Sequence, residues 1–431
     1  MSLPSEVDVA SVAPAQDGNG AAPNSVRQLT QHLSDHKVTR LALQFLDGNE
    51  DLHLKDLPFD DMTDDRRAEY RGNRFWNFGS DSFLGLDRDP RVLAAIRDAL
   101  PKWGSHNGAS RAFSSVALNE EAERRLAHWL GVEDTLIFTS VTLANIGLLP
   151  AVAGPGDLLV VDRMSHDSVH QGSRLAAALG ATVKELAPST PDALAQILEE
   201  SEQQRSVVAI DGVYSMSGEI PPLADLDDIA RQFGGILYVD DAHGAGVVGP
   251  GGRGAAFEAL GSLSNVLMLG SLSKAFSCMG AFVTCDARLK MILKIRSSTF
   301  IFGGPVPPPY LAAICAVCDI LESPDHVRLL SQLRSGTKRF VDGLRSLNLV
   351  VHGGHSPIVS VLIGDIEKTF EAGKWLFERG FYVQSATFPA VPIFAGMMRV
   401  QINANHPLQA VDELLEVFAD LHREIGLPTT G

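Results

Sequence analysis

Cysteine is scarce in this 431-residue chain: Cys278, Cys285, Cys315 and Cys318 are too few for a disulfide framework over such a length. A cytoplasmic compartment fits that usage. Cys315-Ala-Val-Cys318 has the spacing of a metal or redox pair, but no second pair completes a zinc site, and its Ala/Leu/Ile-rich surroundings have helical period. Both residues are expected to be small core side chains. No apolar run is long enough to span a bilayer. Basic charge is also short: 36 Lys and Arg against 52 Asp and Glu leave a net −16, which argues against a nucleic-acid or anionic-membrane surface and fits a soluble protein. Met1 to Asn24 lacks the basic start and apolar centre of a signal peptide. Rich in Ala, Pro, Gly, Ser and Asp, residues 1–25 are expected to form a disordered leader.

The length allows one large and one smaller domain. Val26 to Leu46 carries apolar residues at helical spacing, which predicts a helix in an N-terminal arm over 26–75. Trp76 to Leu86 reads as a short strand and turn, followed by a helix opening near Pro90. Short β-rich runs then recur at Thr135–Thr139, Leu158–Val161, Thr182–Leu186, Val207–Ile210, Ile236–Val239, Val266–Leu269 and Ala281–Thr284, mostly with helical patterns between them. Such alternation predicts an α/β fold with a mostly parallel, seven-stranded sheet covered on both faces, in a large domain spanning 76–304. Gly303-Gly-Pro-Val-Pro-Pro-Pro-Tyr310 removes too many backbone donors for a helix or central strand to pass through it. It marks the expected boundary to a smaller α+β domain over 305–431, with a long helical pattern to Leu347 and strands near Val359–Leu362 and Met398–Ile402.

Chemistry concentrates between Ile236 and Lys274. The buried-strand run Ile236-Leu-Tyr-Val-Asp240 ends on two carboxylates, where open α/β sheets bind ligands, and Val266-Leu-Met-Leu-Gly270 leads into Ser271-Leu-Ser-Lys274. A carboxylate and an amine so ordered suit pyridoxal 5'-phosphate, whose aldehyde is held by a lysine and whose pyridine nitrogen stays protonated beside an acid. Taken singly, each has a plainer reading. Asp240 at a strand end reads as a helix cap or salt-bridge partner, and Lys274 as a solvated surface residue.

Order and spacing shift the balance. Asp240-Asp-Ala-His243-Gly-Ala-Gly, Gly249-Pro-Gly-Gly-Arg-Gly254 and Gly270-Ser-Leu-Ser-Lys274 together resemble the α-oxoamine synthases, which are fold-type I pyridoxal phosphate enzymes. The resemblance extends to Phe78-Gly-Ser-Asp-Ser-Phe-Leu-Gly-Leu86, Phe138-Thr-Ser-Val-Thr-Leu-Ala-Asn145, Met164-Ser-His166-Asp-Ser and Gly212-Val-Tyr-Ser215-Met-Ser-Gly218. It implies that Ser140, Val141 and Thr142 open a helix whose N–H groups cradle the phosphate, with Ser271 assisting. It implies further that His166 stacks on the ring, that Ser215 and His243 reach its phenolic oxygen, and that Asp240 and Lys274 serve as above. The implied reaction condenses an amino acid with an acyl thioester of coenzyme A or an acyl carrier protein, with loss of carbon dioxide, in a homodimer. An aminotransferase with an unusual amino donor is the alternative, and a catalytically silent partner subunit a third reading.

Departures from the family fall on substrate recognition. Asp81 stands where the family has an asparagine, Thr387 where it has an arginine, and Gly303 where many members have a serine or threonine for the partner's phosphate. Arg399 matches a second family arginine and remains as a carboxylate ligand. The expected consequence is a narrow or unusual amino donor.

Overall fold

All seven β-rich runs become strands of one sheet: Asp134–Phe138 (β1), Asp157–Asp162 (β2), Thr182–Leu186 (β3), Arg205–Asp211 (β4), Ile236–Asp240 (β5), Val266–Ser271 (β6) and Ala281–Cys285 (β7). The computed structural model describes residues 25–48, 54–203, 205–388 and 390–430. Across the sheet the order is β1-β7-β6-β5-β4-β2-β3. β3, β2, β4, β5 and β6 run parallel, and β7 lies antiparallel to both β6 and β1. Alternate residues of each strand enter separate cores: Leu158, Val160, Leu237 and Val239 join one, while Leu159, Val161, Tyr238 and Leu269 join the other. Burial on both faces explains why the inner strands read as continuous apolar runs rather than as alternation, whereas the edge strand β3 exposes Lys184 and Glu185.

Register brings the functional segments together. Asp240 at the end of β5 pairs with Asp211 of β4 on one side and Leu269 of β6 on the other. At the start of β7, Ala281 pairs with both Phe138 of β1 and Ser271 of β6. Residues just beyond β1, β5 and β6 therefore open onto one edge.

Two four-stranded sheets accompany the large one. The antiparallel C-terminal sheet runs in the order Val351–Gly353, Ile358–Gly364, Gly396–Gln401 and Gln384–Ala386, where two strands were expected from sequence. The other unites Asp61–Met62, Arg67–Tyr70 and Asn73–Asn77 with Phe381–Tyr382, which pairs parallel through Phe381 to Trp76. Further on, Gln401 N–H donates to the Phe78 carbonyl and Ala404 N–H to that of Phe83. As the Pro90 position predicts, a helix spans Pro90–Trp103, capped by Asp89. The proline run separates helix Ser298–Phe302 from Pro308–Leu321, with Pro308 in the first turn, where its missing N–H removes no internal bond. Cys315 and Cys318 are buried in that second helix, as expected.

A separate unit ends at His53. Its described helices are Val26–Asp35, capped by Ser25, and Lys37–Gly48, where one helix was expected. Apart from Ser25, the leader of residues 1–25 lies outside the described residues.

Candidate active site

Asp240 is buried at the end of β5, and its carboxylate accepts from Asn145 Nδ2 at 2.7 Å and from Ala242 N–H at 3.2 Å. Asn145 belongs to helix Val141–Val152, which follows β1. The same Nδ2 donates to Ser168 Oγ at 2.9 Å, and Ser168 Oγ meets His166 Nδ1 at 2.7 Å. On the acceptor side, Tyr238 OH donates to Asn145 Oδ1 at 2.7 Å. His166 has an exposed side chain, caps helix Asp167–Ala178, and sends its backbone N–H to Asp211. Burial, and then the charge of Asp240, push the Asp211 carboxyl well above the usual range.

Lys274 lies beyond β6, half-buried, and its Nζ has no hydrogen bond or ion pair among the described residues. Burial lowers its pKa, against the attraction of Asp81 and Asp240. His243 is buried with Nδ1 unpartnered, and burial followed by the Lys274 charge pulls its pKa well down. An unpartnered amine and an orphaned ring nitrogen within electrostatic reach of each other suit a ligand carrying an aldehyde beside a phenolic oxygen. Ser140 caps its helix by accepting from Leu143 N–H at 3.1 Å, while the N–H groups of Val141 and Thr142 have no preceding turn to bond. Ser271, fully buried, shares a hydrogen bond with Ser273 Oγ at 3.0 Å. The donor set fits pyridoxal phosphate.

The Arg399 side is closed on itself. Arg399 donates from Nε to the Ser215 carbonyl at 2.6 Å, from Nη1 to Gln384 at 2.8 Å and from Nη2 to Asp81 at 3.1 Å. Gln401 adds a second donor to Asp81 at 3.2 Å. Burial alone would raise the Asp81 pKa, but Arg399, His243 and Lys274 hold it down at about 2. Ser215 thus meets Arg399 through its backbone. Thr387 is buried and lines, with Arg399, Met216, Phe370, Tyr382 and Gln384, a cavity of about 640 Å³. At Gly303 a Cβ would come within 2.2 Å of the Thr299 carbonyl, a packing reason for glycine there.

Asn145, Ser168, Tyr238 and Asp211 were not singled out from the sequence. Asp211 carries the same signal as Asp240, an acid closing a buried strand. Asn145 sits one helical turn after Val141, on the inward face of a helix whose sequence signal lies in its first turn.

The chain belongs to the aminotransferase class I and II family, whose model matches residues 74–418. Within that family it is an α-oxoamine synthase. It is 34% identical over 352 residues to the 8-amino-7-oxononanoate synthase of Geobacter sulfurreducens, covering 81% of this chain and 89% of that one. To the serine palmitoyltransferase of Bacteriovorax stolpii it is 31% identical over 363 residues, 83% of this chain and 85% of the relative. In structure it resembles the Sphingomonas wittichii serine palmitoyltransferase, with a TM-score of 0.86, 26% identity, and coverage of 92% of this chain and 99% of that one.

Proposed function

We propose that this protein condenses an amino acid with an acyl thioester, giving an α-amino ketone, carbon dioxide and a free thiol, with pyridoxal 5'-phosphate as cofactor. The observation that carries the reading is the unpartnered amine of Lys274 set beyond the strand next to the hydrogen-bonded carboxylate of Asp240. The named relatives support it. Bound here, the cofactor would draw electron density away from the α-carbon of the amino acid. Everything else falls to side chains. Lys274 holds the cofactor aldehyde and later, as a free amine, takes the α-proton; its lowered pKa keeps more of it neutral. Asp240 keeps the pyridine nitrogen protonated. His166 covers one ring face, and His243 and Ser215 lie toward the phenolic oxygen. Val141 and Thr142 N–H groups, with the hydroxyls of Ser140 and Ser271, receive the phosphate.

Asp81, Thr387 and Arg399 govern the substrates. Because Asp81 already engages Arg399, a simple amino-acid carboxylate must compete for that guanidinium or bind elsewhere in the cavity. A narrow donor range follows.

A second copy of the chain is the expected partner. Phe113, Phe302 and Ile295 are 90%, 84% and 70% exposed, and Thr139, next to Ser140, donates to the Gly303 carbonyl at 3.4 Å. Apolar surface of this kind beside the phosphate end favours a two-fold interface. Coenzyme A or an acyl carrier protein delivers the thioester. All four cysteines are free, which favours a cytoplasmic enzyme, and among the described residues no helix is long and apolar enough to cross a membrane.

Incubation of the holoenzyme with candidate amino acids and acyl thioesters tests the reading. Equal release of thiol and carbon dioxide is expected. A 2-oxo acid formed without thiol would make the protein an aminotransferase instead.

A further inference from the structure

Asp211 and Asp240 are cross-strand neighbours at the ends of β4 and β5, both buried, at 3% and 4% exposure. Two carboxylates so placed do not readily carry two charges, and the one with the shorter, better fixed donors is favoured to keep the charge. Their surroundings differ. Asp240 receives a side-chain amide, Asn145 Nδ2, at 2.7 Å together with Ala242 N–H, while Asp211 has the His166 N–H at 3.1 and 3.2 Å and the Ser165 hydroxyl beside it. Asn145 is itself fixed on every side. Its Oδ1 is taken by Tyr238 OH, so its Nδ2 must point toward Asp240 and Ser168. Gly172 lets the His166 helix close upon the Asn145 helix, since a Cβ there would lie 2.5 Å from the Asn145 carbonyl.

We propose that Asn145 is a positioning residue: through one amide it places the negative charge on Asp240 rather than on Asp211, and through Ser168 it sets the plane of the His166 ring. The inference rests on the reading of this cleft as a pyridoxal phosphate site and adds what decides which carboxylate acts on the ring nitrogen. Burial, Asp240 and then Asp162 raise the pKa of Asp211, in keeping with a proton resting there. The other titratable groups facing the pair are Tyr238 on β5, whose phenol is pushed up by burial and by the two carboxylates, Asp162 at the end of β2, His166 on its helix, and Lys274 beyond β6.

The test compares wild type, Asn145→Leu, Ser168→Ala and Tyr238→Phe as holoenzymes. The readout is the visible absorbance of bound pyridoxal phosphate across pH, which needs no turnover, together with thermal melting. Asn145→Leu is expected to move the pH midpoint of the visible band by about one unit and to weaken cofactor binding about tenfold, as for a lost buried hydrogen bond to a charge. Ser168→Ala should leave the midpoint in place and change only the circular dichroism of the band, which reports ring orientation. Tyr238→Phe removes a single oxygen and should shift the midpoint part of the way, a measurement that stands even if Asn145→Leu does not fold. Midpoints identical to wild type in both Asn145→Leu and Tyr238→Phe, or in Tyr238→Phe alone where Asn145→Leu is unfolded, would overturn the proposal. Absence of thiol release in the wild type would bear on the reaction and leave these spectra meaningful. A wild type that takes up no pyridoxal phosphate would overturn both.

Discussion

Among the described residues, Lys274 and His243 present polar atoms without partners, whereas Arg399, in the neighbouring wall, has all three nitrogens engaged. The first group lies beyond the ends of β5 and β6, and the second on the C-terminal sheet. An open set of donors and acceptors is completed by a ligand of fixed shape. A closed ion pair must be broken or bypassed by whatever binds, so it acts as a filter. On the proposed function, cofactor binding and donor choice would fall to different electrostatic arrangements in one protein.

The most severe way to break the open side is Lys274→Ala. Thiol release should fall by about 10²–10⁴-fold, the range of a lost general base, and borohydride should no longer fix cofactor to the chain. Opening the closed side should have the opposite sense. Glycine, alanine and serine should bind the wild type weakly, judged by the visible spectrum of the holoenzyme. Asp81→Asn with Thr387→Arg should tighten at least one of them about tenfold, since a freed guanidinium can take a carboxylate bidentately. Tight binding of all three by the wild type would show that the ion pair is no filter.

Two smaller effects sharpen the contrast between satisfied and unsatisfied groups. His406 is buried like His243, but its Nδ1 accepts from Asn403 N–H at 3.0 Å and its Nε2 reaches the Asn77 carbonyl at 3.1 Å. Burial drops its pKa to about 3. Below the ordinary histidine pKa the unfolded chain takes up a proton that the folded one refuses until about pH 3, so this contribution is complete above pH 6.5 and is lost as pH falls. Urea titrations should show stability falling by up to about 1.4 kcal/mol per pH unit in that window from this group, with a shallower slope in His406→Gln. Gly303→Ser should cost about 1–3 kcal/mol by overpacking, read as a lower melting temperature.

Much of the first region was legible in the sequence. The central strands, buried on both faces, are apolar runs that need no partner to be recognised, and Asp240 and Lys274 stand at or just beyond the ends of two of them. Asn145 was not legible in this way, because its importance comes from a neighbouring helix brought close by Gly172, a contact without any periodicity. The closure of Arg399 by Asp81 was hidden for a similar reason. The sequence displays an unexpected acid at 81 and a surviving base at 399, but only the register of Gln384 against Arg399 on the C-terminal sheet, with Gln401 two residues on, gathers the ring of partners. The split of the helical stretch after Val26 into two at His36 was likewise missed, since apolar spacing continues across the break.

The parallel pairing of Phe381 with Trp76 sets a timetable for the chain as it leaves the ribosome. Phe75, Trp76, Phe78 and Phe83 are made well before the strand and backbone donors that close over them, at Phe381, Gln401 and Ala404. Long-range closure of this sort is slow and leaves apolar surface uncovered in the meantime. Nascent chains halted before residue 380 should therefore be held by chaperones, and those released past residue 404 should not.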